Sequence, residues 1–206
     1  CQKSLEGYLE QKRNKFPRFY FVSNPGLLII LSQGSDPLSM NDHYEKVFDA
    51  IRFVDHNKKD KTIIERMHGD GGDGHEVIKF STPVKAVGNI EDWLVEMLKK
   101  MQFTMKNLAR GCASDFVQVK GSTSDLRRAT DDNIAQFALL GLQILWSVDN
   151  QESLEICRAK KTAMKECNQR QMEVLREMSS WCLQELGSKV NRRKIETMVT
   201  IHVHKK

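Results

Sequence analysis

His68 and His75 flank a glycine-rich stretch, GDGGDG at 69–74, which places two imidazoles within reach of two carboxylates, Asp70 and Asp73. Three chemistries are conceivable for such a cluster. A calcium loop needs acidic ligands in a D-x-D-x-D-G frame closed by a glutamate at the twelfth position, and Asp70 and Asp73, three apart, break that frame. A phosphate loop needs Lys-Ser or Lys-Thr after its glycines, whereas His75-Glu76 stands there. A metal held by the two histidines and two aspartates is a weaker reading than a glycine-rich turn at the tip of a β-hairpin. His202 and His204, two positions apart, are poorly spaced to share a metal from one helix.

The five cysteines, Cys1, Cys112, Cys157, Cys167 and Cys182, form no CxxC pair. Their spacings do not make a zinc site, and free thiols in a reducing compartment account for them. The sequence contains no Gly-x-Ser-x-Gly, no HExxH, no GxGxxG before a helix and no GxxxxGK[ST]. Carboxylates are scattered over polar faces rather than paired in apolar settings, so nothing is arranged for acid–base or nucleophilic catalysis. The expectation is a segment with no catalytic, cofactor-binding or metal-binding residue, and therefore not an enzyme by itself.

The elements around these residues carry more information. SLEGYLEQKRNK predicts a helix with Leu5, Tyr8 and Leu9 on one face, stopped at Phe16-Pro17 because the residue before a proline is pushed out of the α region. PRFYFVS then predicts an extended stretch, Phe19 and Phe21 facing one way and Arg18, Tyr20 and Val22 the other. Ser23 or Asn24 caps the next helix, with Pro25 in its first turn and Leu27, Leu28, Ile30 and Leu31 as its buried face. Gly34 ends that helix. Ser35-Asp36-Pro37 opens another, with Met40, Tyr44, Val47, Phe48 and Ile51 at helical spacing. Three phenylalanines and a tyrosine thus fall within positions 16–21, in a chain only 7% aromatic. Phe16, Pro17, Phe19 and Phe21 are read as a structural corner that locks the angle between two short helices.

Residues 62–80 predict the hairpin. A helix capped by Asn89 follows, its stripe being Ile90, Trp93, Leu94, Met97, Met101, Met105 and Leu108, ended by Gly111. GSTSDLRRATDD reads as an exposed linker. Residues 133–148, apolar nearly all round, predict a buried helix. Residues 150–186 read as the longest helical run, with Leu154, Cys157, Met164, Cys167, Leu175, Met178 and Cys182 as a partial stripe. Residues 195–204 suit a helix or a strand equally. The fold class is therefore mainly α: an elongated stack of helices and helical hairpins with one small β-hairpin at about 62–80. The division is 1–118, an exposed loop at 119–131, and 132–206.

No apolar run is long enough to span a membrane, and the polar start at Cys1 suggests a piece of a longer polypeptide. The net charge is +5 in 206 residues, and the surplus lies in residues 151–206, with 12 Lys and Arg against 7 Asp and Glu. That tail offers little for base stacking, so nucleic acid is not an expected partner. A solvated helix face comes first and an acidic protein surface second.

Four stretches resemble the linker region of dynein heavy chains, most like the axonemal ones. FPRFYFVSNPGLLIILSQGSDP is similar to the family's FPRFYF-(L/V)-S, Leu-Leu-x-Ile-Leu and Ser-x-Asp-Pro pattern, departing from it at Pro25-Gly26 and Ile29, where acidic residues are common. GNIEDWLVEMLKKMQFTMK, IAQFALLGLQILWSVDNQESL and NRRKIETMVTIHVH follow in the family's order and spacing, over nearly the whole chain. The resemblance implies a mostly helical arm lying across a ring of AAA+ modules, bent in one nucleotide state and straight in another, that swing being the power stroke along microtubules. ATP and Mg would be bound in the ring, not in this segment. The implied partners are the AAA+ ring of the same heavy chain and, through the parent complex, other dynein subunits and microtubules, with no membrane. The implied location is the cytoskeleton, in the axoneme of a cilium or flagellum. Asp70, Gly71, Gly72 and Asp73 become a possible ring-contacting hairpin tip, and the aromatic corner a brace for an arm under load. The competing class is a free-standing helical scaffold that presents a basic face to an acidic partner.

Overall fold

The computed structural model of the chain describes residues 2–34, 36–69, 76–119 and 122–205, without the side chains of Gln2 and Thr123. Two compact units, Cys1–Met105 and Lys106–Lys206, divide it.

The first unit opens with α1 (Gln2–Lys15), whose last turn carries Lys12, Arg13 and Lys15, cations that suit the negative end of a helix dipole. Phe16 ends α1 in an extended conformation, φ −129° and ψ 92°. The next segment is not extended: Pro17–Phe21 winds into a 3₁₀ turn. Proline supplies the φ such a turn needs, and the Phe19 amide donates to the Phe16 carbonyl at 3.0 Å. Residues three apart eclipse one another in this geometry. Phe16 and Phe19 are therefore fully buried together, and Phe21, expected beside Phe19, is 78% exposed.

Helix α2 (Asn24–Ser32) is capped by Ser23, whose hydroxyl accepts from the Gly26 amide, and buries Leu27 and Ile30. A second 3₁₀ turn, Pro37–His43, capped by the Asp36 carboxylate, leads into the one-turn helix α3 (Tyr44–Val47). The helical reading of this region fails at Phe48, which is extended (φ −125°, ψ 120°) and steers the chain into a strand.

That strand, β1 (Ile51–His56), pairs antiparallel with β2 (Ile63–Gly69), which pairs antiparallel with β3 (Val77–Lys85). The predicted hairpin is present as β2–β3, within a three-stranded sheet in the order β1-β2-β3. Ile51 and Val54 are both buried although three apart. A regular pleat forbids this, and the register break between Ile51 and Phe53 permits it. The same device between Ile64 and Arg66 buries Ile64 and Met67 together. Pro83 is tolerated because β3 is an edge strand.

Helix α4 (Ile90–Gln118) starts with Glu91 and Asp92 and buries Ile90, Trp93, Leu94 and Met97 in the first unit's core. Thr104, also buried, accepts from the Ser81 amide at 3.0 Å. The helix passes through Gly111 without stopping. An interior glycine weakens a helix by about 1 kcal/mol, which packing outweighs here: Cys112 and Phe116, on the turns that follow, are buried.

In the second unit the stretch expected as an exposed linker is helix α5 (Thr123–Asp132), capped by the Ser122 hydroxyl. Leu126, Ala129 and Thr130 are its buried stripe, short enough to be hidden by the polar composition. Helix α6 (Ala135–Ile156) buries Phe137, Ala138, Gly141 and Leu142, but Leu140 is 40% exposed, so this helix is not covered all round. The expected long run at 150–186 is broken by turns between Ile156 and Ala163, where α7 (Ala163–Trp181) begins. Helix α8 (Lys189–Val203) follows Gly187, whose φ of +69° favours glycine, and resolves 195–203 as helix with His204 as its C-cap. The architecture is mainly α with a small antiparallel sheet.

Candidate functional site

Phe16 and Phe19 meet edge to face, their ring centroids 5.0 Å apart and their planes at 84°. Phe16 also lies 6.2 Å from Phe48, which lies 6.3 Å from Tyr44. Offset and edge-on arrangements of this kind add about 0.5–1.5 kcal/mol per pair beyond the area they bury. The cluster ties the end of α1, the first 3₁₀ turn and α3 into one core. Tyr44 is fully buried, and loss of solvent pushes its phenol well above the usual value.

Two arginines brace the turn from outside. Arg13 donates from Nη2 to the Val22 carbonyl at 3.1 Å and to Asn24 Oδ1 at 2.7 Å, and from Nε to the Phe19 carbonyl at 3.4 Å. The Phe19 carbonyl already accepts from the Val22 amide at 3.1 Å, so Arg13 adds a second bond there and joins the turn to Asn24, the first residue of α2. Arg18 stacks its guanidinium 5.1 Å from the Phe48 ring centre and donates to the Val47 carbonyl at 3.3 Å. Tyr20 donates to Glu10 Oε1 at 2.5 Å, a bond that raises its phenol pKa. Lys12, at the other end of the brace, pairs at 2.6 Å with Glu91, a carboxylate 1% exposed in the first turn of α4. Helix α1 is thus fixed to the start of α4 by charge and to α3 by aromatic packing.

Of the four residues read as a corner, the structure brings Phe16, Pro17 and Phe19 together and leaves Phe21 in solvent. Sequence reasoning missed Phe48 and Tyr44 as partners of that cluster, and Arg13 as the residue that ties the turn to the start of α2. Their common signal, apolar or cationic residues three and four apart across consecutive turns, is visible only once the 3₁₀ geometry is known.

Asp70, Gly71, Gly72, Asp73 and His75 lie outside the described residues. His68 stacks on Phe53 with centroids 4.2 Å apart and places Nε2 2.9 Å from Asp55 Oδ2. Buried His202 bonds through Nε2 to the Gln171 carbonyl at 3.0 Å, and His204 is exposed. Among the described residues no three His, Cys, Asp or Glu side chains stand close enough to hold a metal ion. No helix among them is long and apolar enough to cross a membrane. Cys112 donates to the Phe137 carbonyl at 2.9 Å, and burial pushes its thiol up to about 11.

The second unit has its own polar fastenings. Asp149 on α6 accepts from Arg170 and from Gln171 (2.6 Å) on α7. Lys194 on α8, 4% exposed, donates to the Thr130 and Asn133 carbonyls at 2.8 and 3.0 Å, closing the C-terminal end of α5.

His43 gives the first unit a pH dependence. Its Nδ1 lies 3.2 Å from Lys46 Nζ, which can only donate, so Nδ1 accepts and Nε2–H donates to Gln33 Oε1 at 3.1 Å. That pattern requires the neutral ring. Burial first, and Lys46 second, lower the His43 pKa, while Asp42 opposes them. A histidine with a depressed folded pKa binds its proton more readily when unfolded, so stability is intact above the unfolded value, about 6.5, and falls as the pH drops below it. Urea midpoints should fall between pH 7 and 5 more steeply for the natural chain than for His43→Gln. Equal slopes would remove His43 as the cause.

Residues 1–112 match the family model described as dynein heavy chain, N-terminal region 2. Dynein axonemal heavy chain 5 of Rattus norvegicus is 38% identical over 206 residues, all of this chain and 6% of that protein. Dynein axonemal heavy chain 8 of Mus musculus is 39% identical over the same length, 4% of its own. The dynein gamma chain of the flagellar outer arm of Chlamydomonas reinhardtii is 33% identical over 207 residues, again 4% of its length. The chain therefore spans only a small fraction of the relatives it matches.

Proposed function

The chain belongs to the dynein heavy chain family, and from that premise we propose that it is a mechanical linker segment coupling ATP-driven changes in an AAA+ ring to microtubule-based movement of a cilium or flagellum. ATP, with Mg, is bound and hydrolysed elsewhere in the heavy chain, and this segment transmits rather than catalyses. Its partners in that reading are the ring of its own heavy chain and, through the assembled motor, other dynein subunits and microtubules. The axonemal and flagellar names of its relatives support the location.

The observation that carries the reading is the buried Phe16–Phe19–Phe48 cluster with its Arg13 and Arg18 braces. A segment that passes on force must resist deformation where its direction changes. Close-packed aromatic cores have low compressibility and transmit strain. Two successive 3₁₀ turns around one core are a place where the chain changes direction often and stores little slack.

The test uses a full axonemal heavy chain carrying Phe19→Leu at this position, with Phe21→Leu as the exposed control. Softening the core should slow microtubule gliding while ATP turnover persists, and the control should leave both unchanged. Parallel loss of gliding and ATP turnover, or no change in either, would overturn the coupling role.

A further inference from the structure

A shallow, solvent-open cleft lies along the C-terminal half of α6, within the second unit. Its floor is a single helical stripe, Trp146, Asn150, Leu154 and, just past the helix end, Arg158. Leu154 is 57% exposed, on a helix whose opposite face is packed. The polar side chains between them are already satisfied within their own helix. Ser147 donates to the Gln143 carbonyl at 2.9 Å, Asn150 to the Trp146 carbonyl at 2.8 Å, and Gln151 to Glu155 at 3.1 Å. An occupant therefore meets two apolar groups and little unspent hydrogen-bonding capacity along the floor.

Arg158 lines one end of the cleft, and Lys205 stands against Trp146 at the other. Lys205 places its ammonium 5.1 Å from the centre of the Trp146 ring, and burial lowers its pKa. Arg158 stands exposed at the other end and makes no ion pair among the described residues. The turn after it adds Lys160 and Lys161, of which only Lys160 is paired, with Glu166 at 2.5 Å. Glu155 is the one carboxylate lining the cleft, and it is engaged by Gln151. This local charge belongs to a segment, 151–206, with five more cations than carboxylates.

We propose that the α6 cleft is a docking surface for an acidic amphipathic helix, whose apolar residues lie on Trp146 and Leu154 and whose terminal carboxylates meet Arg158 and Lys205. The spacing sets the register of the partner. Trp146 and Leu154 are eight residues apart on α6, about 12 Å at the helical rise, and Arg158 lies beyond Leu154 in the turn that follows the helix. The partner's carboxylates are therefore about three turns apart, with apolar residues on the two turns between. Charge complementarity of this kind sets specificity and association rate, and the apolar floor supplies the contact that outlasts screening. The surface does not depend on the linker role, because a helix could dock here in a motor or in a free-standing scaffold.

The probe is a synthetic helical peptide with glutamates eleven positions apart and leucines at the fourth and seventh positions between them, all on one face. Binding to the 206-residue chain is read by titration calorimetry and by fluorescence of Trp146, Trp93 and Trp181 being buried. The glutamate peptide should bind at least about tenfold more tightly than its glutamine counterpart, with a salt-dependent affinity. Arg158→Glu should weaken the glutamate peptide and strengthen a lysine-ended one, and Leu154→Ser should weaken both. Both positions are exposed, and circular dichroism checks that the variants fold. Equal affinity for the glutamate and glutamine peptides, indifference to Arg158→Glu, or tighter competition by a single-stranded oligonucleotide would each overturn the proposal.

Discussion

Phe19→Ala lowers the stability of the first unit by about 3–5 kcal/mol, the range for truncating a fully buried phenylalanine, whereas Phe21→Ala changes it by less than about 0.5 kcal/mol. The two side chains are two residues apart in the same aromatic run, and their environments differ completely: Phe19 is 0% exposed and Phe21 78%. Truncating Phe19 leaves a void against Phe16, whose ring edge it now meets at 5.0 Å. The void cannot close easily, because Phe16 is also held against Phe48, and Phe48 lies under the Arg18 guanidinium. Phe16→Ala carries a similar penalty for the same reason. The measurement is chemical unfolding in a Trp146→Phe, Trp181→Phe background, where Trp93, 3% exposed in the first core, reports that unit alone. A separate reporter matters because two compact units need not unfold as one. Equal effects at positions 19 and 21 would mean that the segment is a strand with both rings inward.

That contrast also marks where local pattern stops being informative. Aromatics at alternate positions in PRFYFVS fit a strand of period two, and the same letters fit a 3₁₀ turn in which 16 and 19 coincide. Proline at 17 decides between them only after Phe16 has an aromatic neighbour to pack on, and that neighbour, Phe48, comes from 32 residues away. The β2–β3 hairpin and the helices α1, α2 and α4 were legible because their punctuation is local: Phe16-Pro17, the Ser23 cap, glycines around the hairpin tip. Strand β1 was not, since Met40, Tyr44 and Val47 do keep helical spacing up to the residue where Phe48 turns extended. Helix α5 hides three buried residues in ten polar-looking ones. The cleft on α6 was invisible for the opposite reason: residues 133–148 were read as buried on every side and Leu154 as part of the apolar stripe of the run after them, and exposure of Leu140 and Leu154 is decided by which neighbours arrive. The family was legible in four motifs, but which phenylalanine braces the corner was not.

Gly141→Ala should destabilise the second unit by about 1–3 kcal/mol, the usual penalty for overpacking a tight core, although alanine is the better helix former. Gly141 sits inside α6, where a glycine is otherwise a weakness. A methyl group there would lie 2.6 Å from Cγ and Cε2 of the Phe116 ring, far inside van der Waals contact. Phe116 is 0% exposed, so the ring has no solvent to retreat into. Next to it, the Cys112 thiol is held to the Phe137 carbonyl at 2.9 Å, which ties the same two helices together. Gly111 provides the internal comparison. It too lies inside a helix, but nothing stands within 4 Å of the position its methyl group would take. Gly111→Ala should therefore stabilise the chain by up to about 1 kcal/mol, the difference in helix propensity. Opposite signs at the two glycines, read as shifts in the urea midpoint at constant slope, are the expected result. Combining Gly141→Ala with Phe116→Leu should recover part of the loss, because the smaller side chain gives back the volume the methyl group takes. If both alanines stabilise, α6 is free to move away from Phe116, and the close packing argued for this unit does not hold.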